Sequence, residues 1–298
     1  MNNVKREFVT NAFLKEASTA DLGRDAAVPS AIGDKWKSPA RADGLNVLAE
    51  QSRRPREGPK QLAEEVTCAL IRLKLRHPNW GSKKICDLYK REHRHAPSVS
   101  NCDRVLRLAG LVETRRRQVR PEPGGIAMGV EAKAPNEVWT VDFKGRWGSG
   151  NGGRYEPLTV RDAFSRFILA VQTLPDATTP SVRAEFARLF EEYGMPNVIK
   201  SNNCSPFAST LAPLGLSSLS VWWVSLGIEW DRGQSAQPQD NGGHEHLHRD
   251  LQAEIAQHVQ LDLVSQQAAL DRWREEFNWK RPQDALGGRP PGEVFRKS

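Results

Sequence analysis

The chain has 298 residues, 38% hydrophobic and 27% charged, a composition typical of an ordinary globular protein with two or three domains. No apolar run approaches the roughly 18 residues of a membrane span, and the first residues lack the apolar stretch of a secretory signal. The net charge of +7 is compatible with a polyanionic partner. The four scattered cysteines disfavour a disulfide framework or a cysteine zinc site and fit a reducing cytosol.

Residues 1–50 carry a helical but irregular pattern. An opening helix is indicated by the spacing of Val9, Ala12 and Phe13. Two short packed helices are indicated by the spacing of Leu22, Val28, Ile32 and Trp36. Gly23, Gly33 and Pro39 fall inside those helices and disfavour each of them. We therefore expect a degenerate helix-turn-helix-like region, followed by a basic linker at 51–60.

Residues 61–113 predict a clearer three-helix unit. Its apolar positions are Val66, Leu70, Ile71, Leu73, Ile85, Leu88, Tyr89, Val105, Leu106 and Leu108. Ser82 is expected to cap the second helix, Ser98 or Ser100 to cap the third, and Gly110 to end it. The third helix is predicted to read DNA through Asn101, Arg104 and Arg107. A plain three-helix bundle without a ligand is the alternative.

A second basic segment at 114–135 reads as a linker containing proline and glycine. Its arginines, Arg115, Arg116, Arg117 and Arg120, either contact DNA phosphates or simply keep a linker solvated.

From residue 136 to 298 the pattern changes to α/β. Strands are predicted at 138–143, 158–160, 167–171 and 198–201, with helices that contain Val182 and Leu219 and two more that begin near Asn241 and Leu263. Three strands in a meander, followed by alternating helices and strands, is the ribonuclease-H-like order. Trp222 and Trp223 are expected to belong to the core rather than to stack on bases.

Three polar positions in this α/β region could meet at one edge of the sheet. Asp142 lies in the first strand, Asn202 ends a short strand, and Glu245 lies in the first turns of a helix. Carboxylates that meet there would bind Mg²⁺, which takes oxygen ligands. Two such ions, roughly 3.5–4 Å apart, can clamp the attacking and leaving oxygens of a phosphodiester. Asp162 is interpreted instead as a turn or ion-pair residue.

Several short motifs resemble those of the bacterial insertion-sequence transposases that share the retroviral-type integrase core. They are 139–145 (WTVDFKG), 162–166 (DAFSR), 201–203 (SNN), 238–242 (PQDNG), 244–245 (HE) and 277–287, and the likeness extends to 52–55 and Trp80-Gly81. The resemblance covers nearly the whole chain from Arg6 onward.

The resemblance implies a catalytic and metal-binding set of Asp142, Glu245 and a second Asp, with two Mg²⁺ or Mn²⁺ ions. It also implies double-stranded DNA partners (element ends and target), a homo-oligomer, and a bacterial cytoplasmic, nucleoid-associated protein. This chain has Asn202 where the second Asp is expected, and Asn supplies one neutral oxygen and an NH₂ donor instead of a negative charge. His246 replaces the usual Arg after the Glu, and Ala27 stands where a turn glycine is usual.

Two other functions remain open at this point. The first is a non-catalytic DNA-binding relic or repressor, which Asn202 favours. The second is a zinc metalloprotease, because His244, Glu245 and His248 match the short pattern H-E-x-x-H. No clear third zinc ligand follows downstream.

Overall fold

The computed structural model describes residues 2–14, 18–43, 62–112, 130–174, 176–233, 242–256 and 258–298. The chain divides into two compact units, residues 1–61 and 62–298. The basic linker at 51–60 and the arginines at 115–117 and 120 lie outside the described residues. Within the described residues, no helix is both long enough and apolar enough to cross a membrane.

The first unit contains three helices, α1 (Asn2–Leu14), α2 (Thr19–Asp25) and α3 (Ser30–Asp43). Phe8, Val9, Ala12 and Leu22 form its buried core, whereas Phe13 and Ile32, which were expected to face inward, are exposed. The helix α3 runs through Gly33 and Pro39, contrary to their sequence preference. A Cβ at Gly33 would lie 2.6 Å from the Phe8 ring, so this glycine permits a close helix contact.

The turn between α2 and α3 contains Ala27 at a φ of 52°. This is the left-handed region that glycine adopts without cost, which explains why a glycine is expected at this position.

The second unit begins with α4 (Glu64–Arg76), α5 (Ser82–Glu92) and α6 (Val99–Leu108). Their shared core contains Leu70, Trp80, Ile85 and Leu106, all 2% exposed or less. The Ser98 side chain caps α6 by accepting from the Asn101 N–H, as predicted.

The cap predicted at Ser82 is wrong, because Ser82 is the first helical residue of α5 and Gly81 is the cap position. The Ser82 hydroxyl donates instead to Asp103 Oδ1 at 2.7 Å, a long-range contact that the local pattern does not reveal.

A mixed sheet forms the centre of the α/β region. Its strands are β1 (Val138–Phe143), β2 (Trp147–Gly148), β3 (Arg154–Asp162), β4 (Ile168–Leu174), β5 (Val198–Ser201) and β6 (Glu229–Arg232). The order across the sheet is β4-β3-β1-β5-β6, and β2 pairs with the beginning of β3. β3 runs antiparallel to its two neighbours β1 and β4, whereas β5 and β6 run parallel to β1. This is the predicted ribonuclease-H-like arrangement, and the fold prediction is confirmed.

Helices cover both faces of the sheet. On one face, Trp139 and Val141 pack in a core with α7 (Thr179–Tyr193) and α8 (Ser218–Ser225). Trp223 of α8 is fully buried there, as predicted, and Trp222 is partly buried against it. On the other face, α9 (Gly242–Glu254) and α10 (Leu263–Trp279) pack on β4, and a short helix, α11 (Pro291–Val294), follows.

The three-helix part contacts the α/β part through charged groups. His77 Nδ1 lies 2.9 Å from Glu276 Oε1, and Lys83 Nζ lies 2.8 Å from Asp284 Oδ1. Arg281 is 2% exposed, pairs with Asp250 and Glu254, and lies over the Trp80 ring at 5.6 Å. These contacts fix residues 62–112 against the end of the chain.

Candidate active site

Asp142 and Asn202 are adjacent because β1 and β5 are parallel neighbours. Val141 is in register with Ser201, so the residue that follows each of them comes to the same edge of the sheet. The Asn202 Nδ2 group donates a hydrogen bond of 2.7 Å to Asp142 Oδ1. The predicted convergence of these two positions therefore occurs in the structure.

Both ends of the Asn202 amide are engaged. Its Oδ1 accepts from the Cys204 N–H at 3.0 Å, while its NH₂ group faces Asp142. Rotating the amide by half a turn would place oxygen against carboxylate and NH₂ against N–H, losing both bonds. The same Asp142 oxygen also accepts from the Phe143 N–H at 2.8 Å.

Burial raises the pKa of Asp142 to about 6. Hydrogen bonds from Phe143 and Asn202 and the charge of Lys144 oppose this rise. The carboxylate is thus largely desolvated and depends on neutral donors for most of its compensation.

Glu245 lies in the first turn of α9 and is exposed. Its helix approaches Asp142 through Thr159, which is paired with Asp142 in the β1–β3 ladder and donates to its carbonyl at 2.8 Å. The Thr159 hydroxyl also lies 3.3 Å from His244 Nδ1 and 3.0 Å from His248 Nε2. The structure therefore brings the helix that carries Glu245 to this edge, and a joint site of Glu245 with Asp142 stays a prediction.

A divalent ion needs oxygen ligands, and this edge offers few of them. One oxygen of Asp142 is held by two N–H donors, and the Asn202 amide presents its NH₂ rather than its oxygen. Among the described residues, no group of three or more His, Cys, Asp or Glu side chains is placed to hold a metal ion. The side chains as arranged do not fit the two-metal set that the resemblance implies.

Comparison with known proteins finds relatives of the α/β region and of most of the chain. The integrase core domain family matches residues 132–238, and a second integrase core domain family matches residues 226–291. A Burkholderia multivorans protein described as "Insertion element IS407 uncharacterized 31.7 kDa protein" is 27% identical over 243 residues, which cover 80% of this chain and 83% of that protein. Residues 132–291 are therefore similar to the integrase core over their whole length. The resemblance to insertion-sequence transposases of the retroviral integrase superfamily is confirmed.

Three solved structures are similar to parts of the chain. The magnesium-bound HTLV-2 integrase catalytic core is 16% identical, with a TM-score of 0.40 over 56% of this chain and 100% of that one. The BIV integrase core is 23% identical, with a TM-score of 0.41 over 54% and 93%. The simian T-cell lymphotropic virus intasome is 13% identical, with a TM-score of 0.48 over 76% and 73%.

The H-E-x-x-H segment at the start of α9 is packed against the sheet. His244 is 2% exposed, and its ring and that of His248 both lie against the Thr159 hydroxyl. Burial lowers the pKa of both histidines, that of His248 to about 4. Thr159, which sequence reasoning missed, thus joins α9 to the strand of Asp142. Its only sequence signal is a hydroxyl inside the otherwise apolar segment 158–160.

Asp162 has the structural role that the sequence indicated. It is fully buried and accepts from the Asn136 N–H at 2.8 Å and from the Ser165 N–H at 2.6 Å, as well as from the Ser165 hydroxyl. The bonds from Ser165 close the turn between β3 and β4, and the bond from Asn136 ties this turn to the segment before β1.

The predicted recognition residues on α6 differ in their surroundings. Asn101 and Arg104 are half-buried, and within the described part of the chain the Arg104 Nε is buried without a hydrogen-bond partner. Arg107 is exposed and pairs with Asp103 at 2.6 Å. Their DNA contacts, like those of Arg115, Arg116 and Arg117, stay predictions.

Proposed function

We propose that this chain is a DNA-binding transposase protein whose integrase core is impaired in strand cleavage at Asn202. The observation that carries the proposal is the hydrogen bond from Asn202 Nδ2 to Asp142 Oδ1 at 2.7 Å. It holds together two positions which, in the family that the chain resembles, are both aspartates.

The electrostatics of the pair explain the impairment. Two carboxylates this close would repel each other, and a cation between them would relieve the repulsion. Asn202 removes one of the two charges and supplies an N–H donor where the cation would lie. The edge is then stable without an ion, and we expect divalent metal to bind weakly.

DNA binding rests on a different part of the molecule. The chain has 43 Lys and Arg against 36 Asp and Glu, and its basic clusters flank the three-helix part. We propose that α6 contacts element ends through Asn101, Arg104 and Arg107, with Arg115, Arg116 and Arg117 on nearby phosphates. Synapsis of two ends would require a homo-oligomer. The alternative within this proposal is a repressor that binds ends without cutting them.

A nicking assay on supercoiled plasmid DNA in Mg²⁺ or Mn²⁺ tests the proposal. The full chain should bind the plasmid with strong salt dependence and nick it slowly or not at all. Asn202→Asp should raise the nicking rate by roughly 10²–10³-fold, by analogy with the loss of one electrostatic contact in a catalytic site. The matched control is Asn202→Asp combined with Glu245→Gln, which should abolish the gain.

Equal nicking by the unchanged chain and by Asn202→Asp would show that Asn202 does not limit cleavage. Absence of DNA binding by the full chain would exclude the binding half of the proposal. Calorimetry with Mn²⁺ alone adds an independent readout, since Asn202→Asp should bind the ion more tightly than the unchanged chain.

A further inference from the structure

A row of polar side chains crosses the sheet two residues from Asp142. Thr140 of β1 is in register with Arg161 of β3 on one side and with Lys200 of β5 on the other. Lys200 is in turn in register with Asp231 of β6. Because side chains two residues apart on a strand share a face, Thr140 lies on the same face as Asp142, opposite the Trp139 and Val141 core.

This row lines a cavity of about 160 Å³ beside the first turn of α9. Thr140, Arg161 and Lys200 face it, together with Gly243 and His244 of α9. A water molecule takes roughly 30 Å³ of liquid volume, so the cavity has room for a tetrahedral oxyanion. The first residues of α9 thus border the same space, near the positive end of the helix dipole.

Among the described residues, neither cation of the row donates a close hydrogen bond to an anion. Lys200 is 7% exposed, and its Nζ lies 3.9 Å from Asp231 Oδ2, too far for a good hydrogen bond. That carboxylate oxygen also lies 3.3 Å from the Val130 N–H, which donates to it. Arg161 donates to the Gly243 carbonyl at 2.6 Å, and its Nε is buried with no hydrogen-bond partner in the described ranges.

A further polar atom on this face is also unsatisfied. Within the part of the chain that the structure describes, Thr140 Oγ1 is buried and makes no hydrogen bond. Buried polar groups are normally paired, and a buried charge without a counter-charge is costly. Burial and the nearby Arg166 lower the pKa of Arg161 to about 10, so the guanidinium still carries its charge at neutral pH.

From this arrangement we infer that the cavity is a binding site for a phosphate-type oxyanion held by Arg161, Lys200 and the Thr140 hydroxyl. Arginine and lysine together with a hydroxyl donor are the groups that proteins use for phosphate oxygens. The anion comes either from free phosphate or from a phosphodiester of bound DNA, and both offer the same oxygens. The site itself does not depend on the proposed function, whereas a DNA source does.

Thermal unfolding of the full chain, with inorganic phosphate as the probe, tests the site. Sodium phosphate is compared with sodium chloride at equal ionic strength, and the melting temperature should rise with phosphate concentration as binding to the folded state requires. Phosphate also stabilises proteins through exclusion from their surface. The diagnostic quantity is therefore the difference between the unchanged chain and its variants.

Lys200→Met and Thr140→Val should each lose most of the phosphate response. The loss of a charge-assisted hydrogen bond predicts a phosphate affinity about tenfold lower in Lys200→Met. The control Arg183→Gln removes an exposed cation of α7, in the helix layer on the opposite face, and should keep the full response. Thr140→Val keeps the shape of its side chain, so the test stands even if Lys200→Met does not fold.

Fluorescence anisotropy with a duplex oligonucleotide distinguishes the two sources. If the anion is a DNA phosphate, inorganic phosphate competes with DNA. In a plot of the logarithm of the DNA-binding constant against the logarithm of salt concentration, Lys200→Met then makes the slope less steep by about 0.9. If the anion is free phosphate, DNA affinity is unchanged while the thermal response persists. Either result supports the oxyanion site. No phosphate response in the unchanged chain, or a response in Lys200→Met and Thr140→Val as large as that of the unchanged chain, would overturn it.

Discussion

The sheet face beneath α9 contains two polar groups of opposite character, two residues apart. At the strand ends, Asp142 and Asn202 form a closed pair in which the oxygen and the NH₂ group of the Asn202 amide and one carboxylate oxygen are hydrogen-bonded. In the row of Thr140, Arg161 and Lys200, Thr140 Oγ1 and Arg161 Nε are buried beside a cavity and have no hydrogen-bond partner among the described residues. The comparison teaches that the single change to Asn202 makes the edge at Asp142 stable without an ion. The neighbouring cavity, by our inference, still requires an anion.

A third polar group, around Arg281, shows how much stability a buried and well-paired cation contributes. Arg281 is 2% exposed and Lys200 7%, but Arg281 pairs with Asp250 at 2.9 Å and Glu254 at 3.1 Å. Arg281→Met should cost about 3–5 kcal/mol of unfolding free energy, because it leaves two carboxylates without their cation. Lys200→Met in chloride should lower the unfolding free energy far less. Chemical unfolding of Arg281→Met and Lys200→Met measures the difference, and equal losses of unfolding free energy would show that Lys200 is already well paired.

The second largest effect is expected at the closed pair. Without metal, Asn202→Asp should lower the unfolding free energy near pH 8 by about 1.5–3 kcal/mol, since a hydrogen bond to a charged group is replaced by repulsion. Mn²⁺ should restore part of the loss, because the ion separates the two charges. Asn203→Asp, at the next residue, is the matched control and should gain no such Mn²⁺ dependence. A metal-free Asn202→Asp variant as stable as the unchanged chain would contradict the repulsion.

The pH dependence of stability tests the same pair from the side of Asp142. Burial raises the pKa of this carboxyl to about 6 in the folded chain, above its unfolded value of 3.8. The folded state therefore holds the proton more tightly, and the stability that this group contributes falls as pH rises from about 4 to about 6. Above about pH 6 the full penalty is present, on the order of 1–3 kcal/mol.

Asp142→Asn removes this titration. The difference in unfolding free energy between Asp142→Asn and the unchanged chain should grow in favour of the variant between pH 4 and pH 6, then stay level. Urea unfolding at several pH values measures it. A difference that is flat across this range would mean that the Asp142 pKa is not raised.

The sequence predicted the strands and helices that carry these polar groups, but not the contacts that the sheet register creates between them. The periodicity of residues 138–143 and 263–280 predicted β1 and α10 within a residue or two, because each has one strongly apolar face. The short segment 198–201 placed Asn202 at a strand end, which was enough to predict its approach to Asp142. The Arg161–Thr140–Lys200 row was missed, since it exists only through the register of three strands that are distant in sequence.

The errors have the same origin. The Ser82 cap was wrong because its hydroxyl is used by Asp103, 21 positions away. The doubts over Gly33 and Pro39 came from intrinsic helix propensity, yet α3 includes both, and at Gly33 the missing side chain makes room for Phe8. Local rules fail where a distant part of the fold takes over a polar group or needs space.

The smallest predicted effect is that of a Thr→Val substitution made at Thr159 of β3 and at Thr140 of β1. It compares the two polar groups most directly, because the two strands are neighbours and the two side chains share one face of the sheet. Thr159 Oγ1 donates to the Asp142 carbonyl at 2.8 Å and lies 3.0 Å from His248 Nε2, whereas Thr140 Oγ1 is buried without a partner. Thr159→Val should cost about 1–2 kcal/mol, since it removes a buried donor and leaves its acceptors unsatisfied.

Thr140→Val, measured in chloride without phosphate, should be neutral or slightly stabilising, because the hydroxyl it removes has already lost its hydration without gaining a bond. Urea unfolding of both variants under one condition gives the difference. If Thr140→Val costs as much as Thr159→Val in the absence of any oxyanion, the Thr140 hydroxyl is satisfied within the protein. The two polar groups would then not differ, and the cavity would have no need of a ligand.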